Sequence, residues 1–185
     1  MTEYETKVLN INVPEITTKL QNLGATKVQD YFYKRYTYDF EVLKSSVGWI
    51  RLRTDGHAHT LTYKAKKSNA IDGIEEIETA VADFNHTHEI ILKLKPYRIS
   101  YWENKRTLYQ LNDLEFCLDT WPLAPTWLEV ESDSIEKVEH GLRLLDLQNQ
   151  AIGNLTPWQT FKEYYQLDLS QYEYFTFETQ KLRHA

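Results

Sequence analysis

The 185-residue chain has one cysteine, one methionine, five prolines and six glycines. A lone thiol, Cys117, excludes an intramolecular disulfide and argues against a cysteine-built zinc site, as fits a reducing compartment. So little proline and glycine, with no tandem repeat or low-complexity stretch, argues against a linker-rich or disordered chain. No apolar run approaches the roughly 20 residues of a membrane span. The opening MTEYETKV is charged where a secretion signal would be apolar, so the expectation is a cytoplasmic protein with no membrane partner. An excess of base is also missing. Lys and Arg number 21 against 27 Asp and Glu, a formal charge of −6, which argues against a nucleic-acid partner, although a local basic cavity would not show in that sum.

The chain does have aromatic residues, 14% of the total, and enough length for one domain with a core that needs no staple. Period-two alternation marks eight strands, at 4–11, 30–40, 49–53, 59–66, 74–81, 100–111, 114–119 and 126–132. Helical spacing over 13–23 has Pro14 in its first turn and Gly24 as a stop. A second helix spans 83–94 and ends before Pro96. A third starts at Asp133, with Glu136 completing a capping box, and carries Ile135, Val138, Leu142 and Leu145 in one stripe. Thr156-Pro157 opens a fourth, and an aromatic tail of undetermined shape follows it. Tight connections such as Asn112-Asp113 favour antiparallel hairpins. The fold class is α+β, one domain over 1–185, with the C-terminal helix and tail from about 156.

Side chains two apart on a strand share a face. By that parity Glu3, Glu5 and Lys7 look one way, as do Arg51 and Arg53, Lys64 and Lys66, Glu76 and Glu78, Cys117 and Asp119, and Glu129 and Glu131. On a single strand, such a face is what the wet side of an antiparallel sheet looks like. Six strands of one design, five of them with paired like charges, are harder to account for that way, because adjacent like charges repel and solvent does not call for them. Several amphipathic helices also need apolar surface to cover. The expected architecture is therefore an eight-stranded antiparallel closed barrel, polar in its lumen, with helices packed outside.

The lumen's charges indicate a ligand. Lys7, Arg51, Arg53, Lys64, Lys66 and Arg106 would repel one another unless a polyanion lay among them, and guanidinium suits phosphate. Glu3, Glu5, Glu76, Glu78, Asp119, Glu129 and Glu131 would repel that polyanion unless hard cations such as Mg²⁺ or Mn²⁺ lay between.

These residues carry a resemblance. EYETK matches the Glu-x-Glu-x-Lys opening of the CYTH superfamily, the triphosphate tunnel metalloenzymes. The order of WIRLR, TLTYKAK, EEIE, RTLY, CLDTW and LEVES is similar to that family nearly end to end. The family includes class IV adenylyl cyclases, thiamine triphosphatases and inorganic triphosphatases. The resemblance implies metal held chiefly by the Glu-x-Glu pairs and triphosphate held by the Lys and Arg side chains. Glu5, Lys7, Arg53 and Glu129 are the candidates for catalysis. Two positions depart from the pattern. Asn104 stands where the sixth strand usually carries lysine, which leaves either Lys105 turned inward by a bulge, Arg98 compensating, or one charge missing. Ile74 replaces a basic residue before the middle Glu pair.

Three functions fit such a cavity: hydrolysis of a phosphoanhydride in tripolyphosphate, thiamine triphosphate or a nucleoside triphosphate; cyclisation of ATP to cyclic AMP and pyrophosphate; or binding of triphosphate or polyphosphate without turnover. Tyr33, Tyr36, Trp102 and Trp121 are candidates to stack on a base, though aromatics at strand parity more often pack under helices. His57-x-His59 and His86-x-His88 lack a third ligand for zinc, and Cys117 has no histidine to activate it, so it is expected simply to line the lumen.

Overall fold

A computed structural model describes residues 4–66 and 74–183. The chain runs β1 (Tyr4–Val8), α1 (Val13–Asn22), β2 (Thr26–Asp39), a 3-10 helix (Glu41–Ser46), β3 (Gly48–Thr54), β4 (His59–Lys66), β5 (Ile74–Ala80) and α2 (Phe84–Lys93). It continues β6 (Arg98–Leu111), β7 (Leu114–Thr120), β8 (Trp127–Ser132), α3 (Ile135–Leu144), α4 (Pro157–Tyr164), a second 3-10 helix (Leu169–Gln171), β9 (Tyr172–Phe175) and β10 (Gln180–Leu182). All eight expected strands are present.

Those eight form one antiparallel sheet in the order β1-β8-β7-β6-β2-β3-β4-β5. Every ladder along that path is antiparallel. The sheet curls into a half-barrel. Among the described residues no ladder joins β1 to β5, and what they form of the expected barrel is this half-barrel. The 14-residue strands β2 and β6 pair along nearly their whole length and form the spine. The far edge of β6 is divided: β7 takes its C-terminal half, and β9 runs parallel to Tyr101 and Trp102. The aromatic tail therefore joins the sheet through the hairpin β9–β10.

Local chemistry fixes the helix ends. Asn12 caps α1 and Asp83 caps α2, each side chain accepting from an N–H three residues on, and Gly24 leaves α1 with φ +82°, where a Cβ would be strained. For α3 the cap is Ser134, not Asp133, which instead binds the Lys137 ammonium at 2.8 Å. The reciprocal capping box is formed at α4, by Thr156 and Gln159.

Three apolar clusters brace the sheet. Under β1, β7 and β8, the stripes of α1 (Ile16, Leu20) and α3 (Val138, Leu142) bury Val8, Phe116, Leu128 and Val130. Ile91 of α2 covers Tyr38 and Leu52. Phe161 of α4 packs with Trp102, Trp121, Trp127 and Phe175. Unlike the other helices, α4 lies across one end of the sheet: Thr156, Pro157, Trp158, Gln159 and Lys162 line the cavity on the concave side. No helix among the described residues is long and apolar enough to cross a membrane.

Gly141 sets how closely α3 approaches the sheet. A Cβ there would stand 2.9 Å from Val130 Cγ1 and 3.2 Å from Leu114 Cδ2. Gly141→Val is therefore expected to destabilise the fold by about 1–3 kcal/mol through overpacking. Urea unfolding measures this, and an unchanged midpoint would contradict the packing described.

Candidate functional site

The concave face encloses a cavity of about 870 Å³, and strand parity decides what enters it. Glu5 and Lys7 of β1, Arg51 and Arg53 of β3, Lys64 of β4, Glu76 and Glu78 of β5, Arg106 of β6, Asp119 of β7, and Glu129 and Glu131 of β8 all line it. Glu3 and the side chain of Lys66 lie outside the described residues. Lys105 does not enter. The β6–β7 ladder runs without a bulge, Lys105 opposite Thr120 and Arg106 opposite Asp119, so Lys105 keeps its outward parity. Its ammonium lies 4.8 Å from the Phe177 ring centroid, on the surface.

Two charge networks occupy opposite walls. On the first, Lys7 Nζ lies 3.1 Å from Glu129 Oε1 and 3.4 Å from Glu5 Oε1. Arg106 donates to Asp119 through Nε and Nη2, at 2.7 and 2.5 Å, and also to Glu129. The Trp127 indole adds a third donor to Glu129 at 3.2 Å. Lys7 is 1% exposed, Asp119 1% and Glu129 5%, so these charges are desolvated and hold one another in place. Burial alone would push the Glu129 carboxyl up, but Lys7 and Arg106 outweigh it and hold Glu129 well below the usual carboxylate range.

On the second wall Arg51 Nη2 contacts Glu76 at 3.0 Å and Glu78 at 3.1 Å, Arg53 reaches Glu78 at 3.7 Å, and Lys64 pairs with Glu76. The ladders set Thr37, Arg51, Thr62 and Glu78 in one row across four strands, and the Thr62 hydroxyl donates to Glu78 at 2.7 Å. Here base outweighs acid. Burial, then repulsion from Arg53, lowers the Arg51 pKa to about 10, and burial with repulsion from Arg51 lowers that of Lys64. On the first wall, by contrast, carboxylates drive Lys7 upward against its own burial. The cavity is thus polarised, with positive charge in excess along β2, β3 and β4.

Sequence parity did not single out β2, whose residues Tyr31, Tyr33, Arg35, Thr37 and Asp39 also face inward. Their alternation is legible, but aromatics stand on both faces of that strand and hide the one arginine. Asn104 is buried between Arg35, which donates to its Oδ1, and Asp119, to which its Nδ2 donates at 3.3 Å. Arg98 reaches the cavity but is held by Asp39 and lies over Trp158 at 5.0 Å. It stands six residues from Asn104, about 20 Å along the strand, too far to replace a charge there. Glu115 is the other omission. The ladders put Glu5, Glu131 and Glu115 abreast on β1, β8 and β7. Of the candidate base-stacking aromatics, Tyr33, Trp102 and Trp121 line the cavity, and Tyr36 packs on Tyr38, Phe84 and His88 instead. The histidine pairs do not converge: His59 contacts Thr54, His86 contacts Asp83 and His88 contacts Tyr38. Burial pushes the Cys117 thiol well up, as suits a lining residue and not a nucleophile.

The CYTH domain family profile matches residues 1–154, which takes in every strand that lines the cavity. The chain belongs to the CYTH domain family. No curated protein matches the sequence. The fold is similar to that of the PH1012 protein of Pyrococcus horikoshii OT3 (TM-score 0.72, 21% identity, covering 83% of this chain and 96% of that one). It is also similar to an adenylate cyclase candidate from Vibrio parahaemolyticus (0.67, 12%, 86% and 96%). A third similar structure is HpAC1 of Hippeastrum, a candidate adenylyl cyclase described as having a dominant triphosphatase activity (0.62, 16%, 86% and 94%). At such identities the likeness is one of fold. Helix α4, which closes one end of this CYTH cavity, begins beyond the matched residues.

The first wall has a measurable consequence. A carboxyl with a lowered folded-state pKa stabilises the fold above the unfolded value of about 4.3 and loses that contribution as pH falls toward the folded value. Glu129→Gln is expected to cost about 3–5 kcal/mol at neutral pH, because Lys7 and Arg106 lose a buried partner. Glu5→Gln, at a more exposed pair, should cost about 1 kcal/mol or less. In urea unfolding the gap between wild type and Glu129→Gln should stay constant from pH 7 to about pH 5 and narrow by about 1–2 kcal/mol by pH 3. Equal costs for the two variants, or a gap independent of pH, would contradict this reading.

Proposed function

We propose that this CYTH protein is a divalent-metal-dependent enzyme that binds a triphosphate in its curled sheet and hydrolyses a phosphoanhydride bond. One observation carries the reading: cations from β1, β3, β4 and β6 and carboxylates from β1, β5, β7 and β8 converge on one cavity, with base in excess on one wall. A pure anion binder gains nothing from so many acids, and a pure cation site gains nothing from the arginines.

The donor set fits Mg²⁺ or Mn²⁺. The cavity's carboxylates are hard oxygen ligands, and the row Glu5, Glu131 and Glu115 sets acid beside acid, an arrangement that a cation relieves. Among the described residues no three His, Cys, Asp or Glu side chains form a preassembled cluster. Magnesium does not need one, since it commonly takes one or two carboxylates together with substrate phosphate and water. Glu5, Glu131, Glu129, Glu76 and Glu78 are the ligands we assign, with Glu3 and Asp119 in support. When bound, the ion supplies positive charge to phosphate oxygens.

The chain's own groups do the rest. Arg51, Arg53 and Lys64 hold the phosphate chain from one side, with Lys7 and Arg106 facing them. Each cation exchanges a carboxylate partner for a phosphoryl oxygen, so the negative charge released is available to metal. Phosphoryl transfer asks little of a protein beyond position and charge, and these side chains neutralise the equatorial and leaving oxygens as the bridging bond opens. Water supplies the incoming oxygen; orthophosphate and the shortened phosphate chain are the products. In the cyclase reaction a ribose 3′-hydroxyl would take water's place and attack the α-phosphorus of ATP. The stacked Tyr31 and Tyr33, 5.1 Å apart between centroids on the cavity wall, offer a face for adenine.

Purified protein incubated with tripolyphosphate, thiamine triphosphate or ATP, plus Mg²⁺ or Mn²⁺, should release orthophosphate, and chelation by EDTA should stop it. Cyclic AMP with pyrophosphate would assign cyclisation instead, and binding without product would assign a carrier. Glu5→Gln should abolish metal-dependent turnover in folded protein. Arg53→Ala should raise KM about 10- to 100-fold, the worth of one charge-assisted hydrogen bond. An unaltered KM would remove Arg53 from the cradle.

A further inference from the structure

Arg35 stands out among the cavity's buried cations because, among the described residues, no carboxylate lies at ion-pair distance from it. Lys7, Arg51, Arg53, Lys64 and Arg106 each pair with a carboxylate. Arg35 is buried at 9% exposure and donates to one acceptor, the neutral Oδ1 of Asn104. Its Nε is buried without any acceptor, and among the described residues no carboxylate forms an ion pair with it. A guanidinium has five N–H donors, so most of this group's capacity is unused. Its surroundings compensate only in part: Asp119 attracts it from beyond ion-pair distance, across Asn104. Arg53 lies directly opposite in the β2–β3 ladder, and the electron-rich partners close by are two rings, Trp121 and Tyr33, whose centroids lie 4.9 and 5.9 Å from the guanidinium carbon. The indole N–H groups of Trp102 and Trp121, both residues of the same cavity wall, are likewise buried and without acceptors.

A desolvated, unpaired charge costs several kcal/mol, and packing alone gives no reason to place a guanidinium here. A neighbourhood of unmatched donors calls for a ligand made of acceptors. We infer that Arg35 is a phosphate-binding residue of this cavity, supplying from β2 the positive charge that Asn104 does not supply from β6. This assignment rests on the functional reading above and adds a recognition element that the strand motifs do not contain. Burial and repulsion from Arg51 and Arg53 hold its pKa well below that of an ordinary arginine, the strain that an arriving phosphate relieves. A planar fork also differs from an ammonium, since it can grip two oxygens of one phosphoryl group.

The test is calorimetric titration with imidotriphosphate, whose P–N–P bridges resist hydrolysis, in the presence of Mg²⁺. It compares wild type, Arg35→Gln and the double variant Arg35→Gln/Asn104→Lys, with melting of each ligand-free protein alongside. Arg35→Gln is expected to weaken binding at least about tenfold. Its ligand-free form should melt no lower than wild type, because an unpaired buried charge has gone. Asn104→Lys in the same chain should restore affinity to within a few-fold, which a structural role for Arg35 would not produce. Unchanged affinity in Arg35→Gln, or a loss that Asn104→Lys does not restore, overturns the assignment while wild-type binding leaves the triphosphate reading in place. Wild type that binds no imidotriphosphate overturns both.

Discussion

Charge removed from water is the constraint on which this structure depends. Lys7, Asp119 and Glu129 are almost wholly buried on the sheet face that lines the cavity. A β-sheet can tolerate that only if the strands bring acid and base within contact of each other, and the ladders do so through register. Lys7 falls opposite Glu129, Arg106 opposite Asp119, and Lys64 opposite Glu76. A slip of one residue in any of these ladders would move a charge to the greasy side and a leucine or valine into the cavity. The same ion pairs that occupy the site thus specify the register, even though well-packed apolar residues in place of buried ion pairs often leave a fold as stable or more so.

With the concave face given to charge, the convex face must supply the core. This explains why Val8, Phe116, Leu128 and Val130 point toward α1 and α3, and Leu52 toward α2. It also explains the fourth helix. A curled sheet has open ends, and Phe161 among Trp102, Trp121 and Trp127 closes one of them with aromatic bulk, while Trp158 and Lys162 remain at the cavity wall. The proposed function follows from the imbalance that remains. One wall is internally neutralised, whereas the β2–β4 side has more positive charge than its acids can satisfy, which is where the proposed polyanion would lie.

Much of this was legible in the sequence because period-two parity is strict. Arg51 and Arg53, Lys64, Glu76 and Glu78, and Glu129 and Glu131 enter the cavity as their spacing requires, and the motif order identifies the CYTH family that the profile match confirms. What was not legible depended on neighbours in space. Barrel closure is a matter of whether β1 meets β5, on which local pattern is silent. The Asp133 cap lost to Ser134 because Lys137 offered Asp133 an ion pair at the same turn. Lys105 could be placed only once the β6–β7 ladder was seen to lack a bulge. Arg35 was hidden by tyrosines on either side of it, and its significance emerges only from the absence of a carboxylate partner across the strands, a tertiary fact. The tail's role also required the ladder between Phe175 and Trp102.

The central claim is an exchange of partners: carboxylates that hold the cavity's bases in the ligand-free protein yield them to phosphate. A crystal structure with imidotriphosphate and Mg²⁺ tests it most directly. The account predicts phosphate oxygens at hydrogen-bond distance from Arg51, Arg53 and Lys64, with Glu76 and Glu78 turned away from those cations. Ligand bound elsewhere on the molecule, or bound in the cavity with the Arg51–Glu76 and Lys64–Glu76 pairs intact, would contradict it.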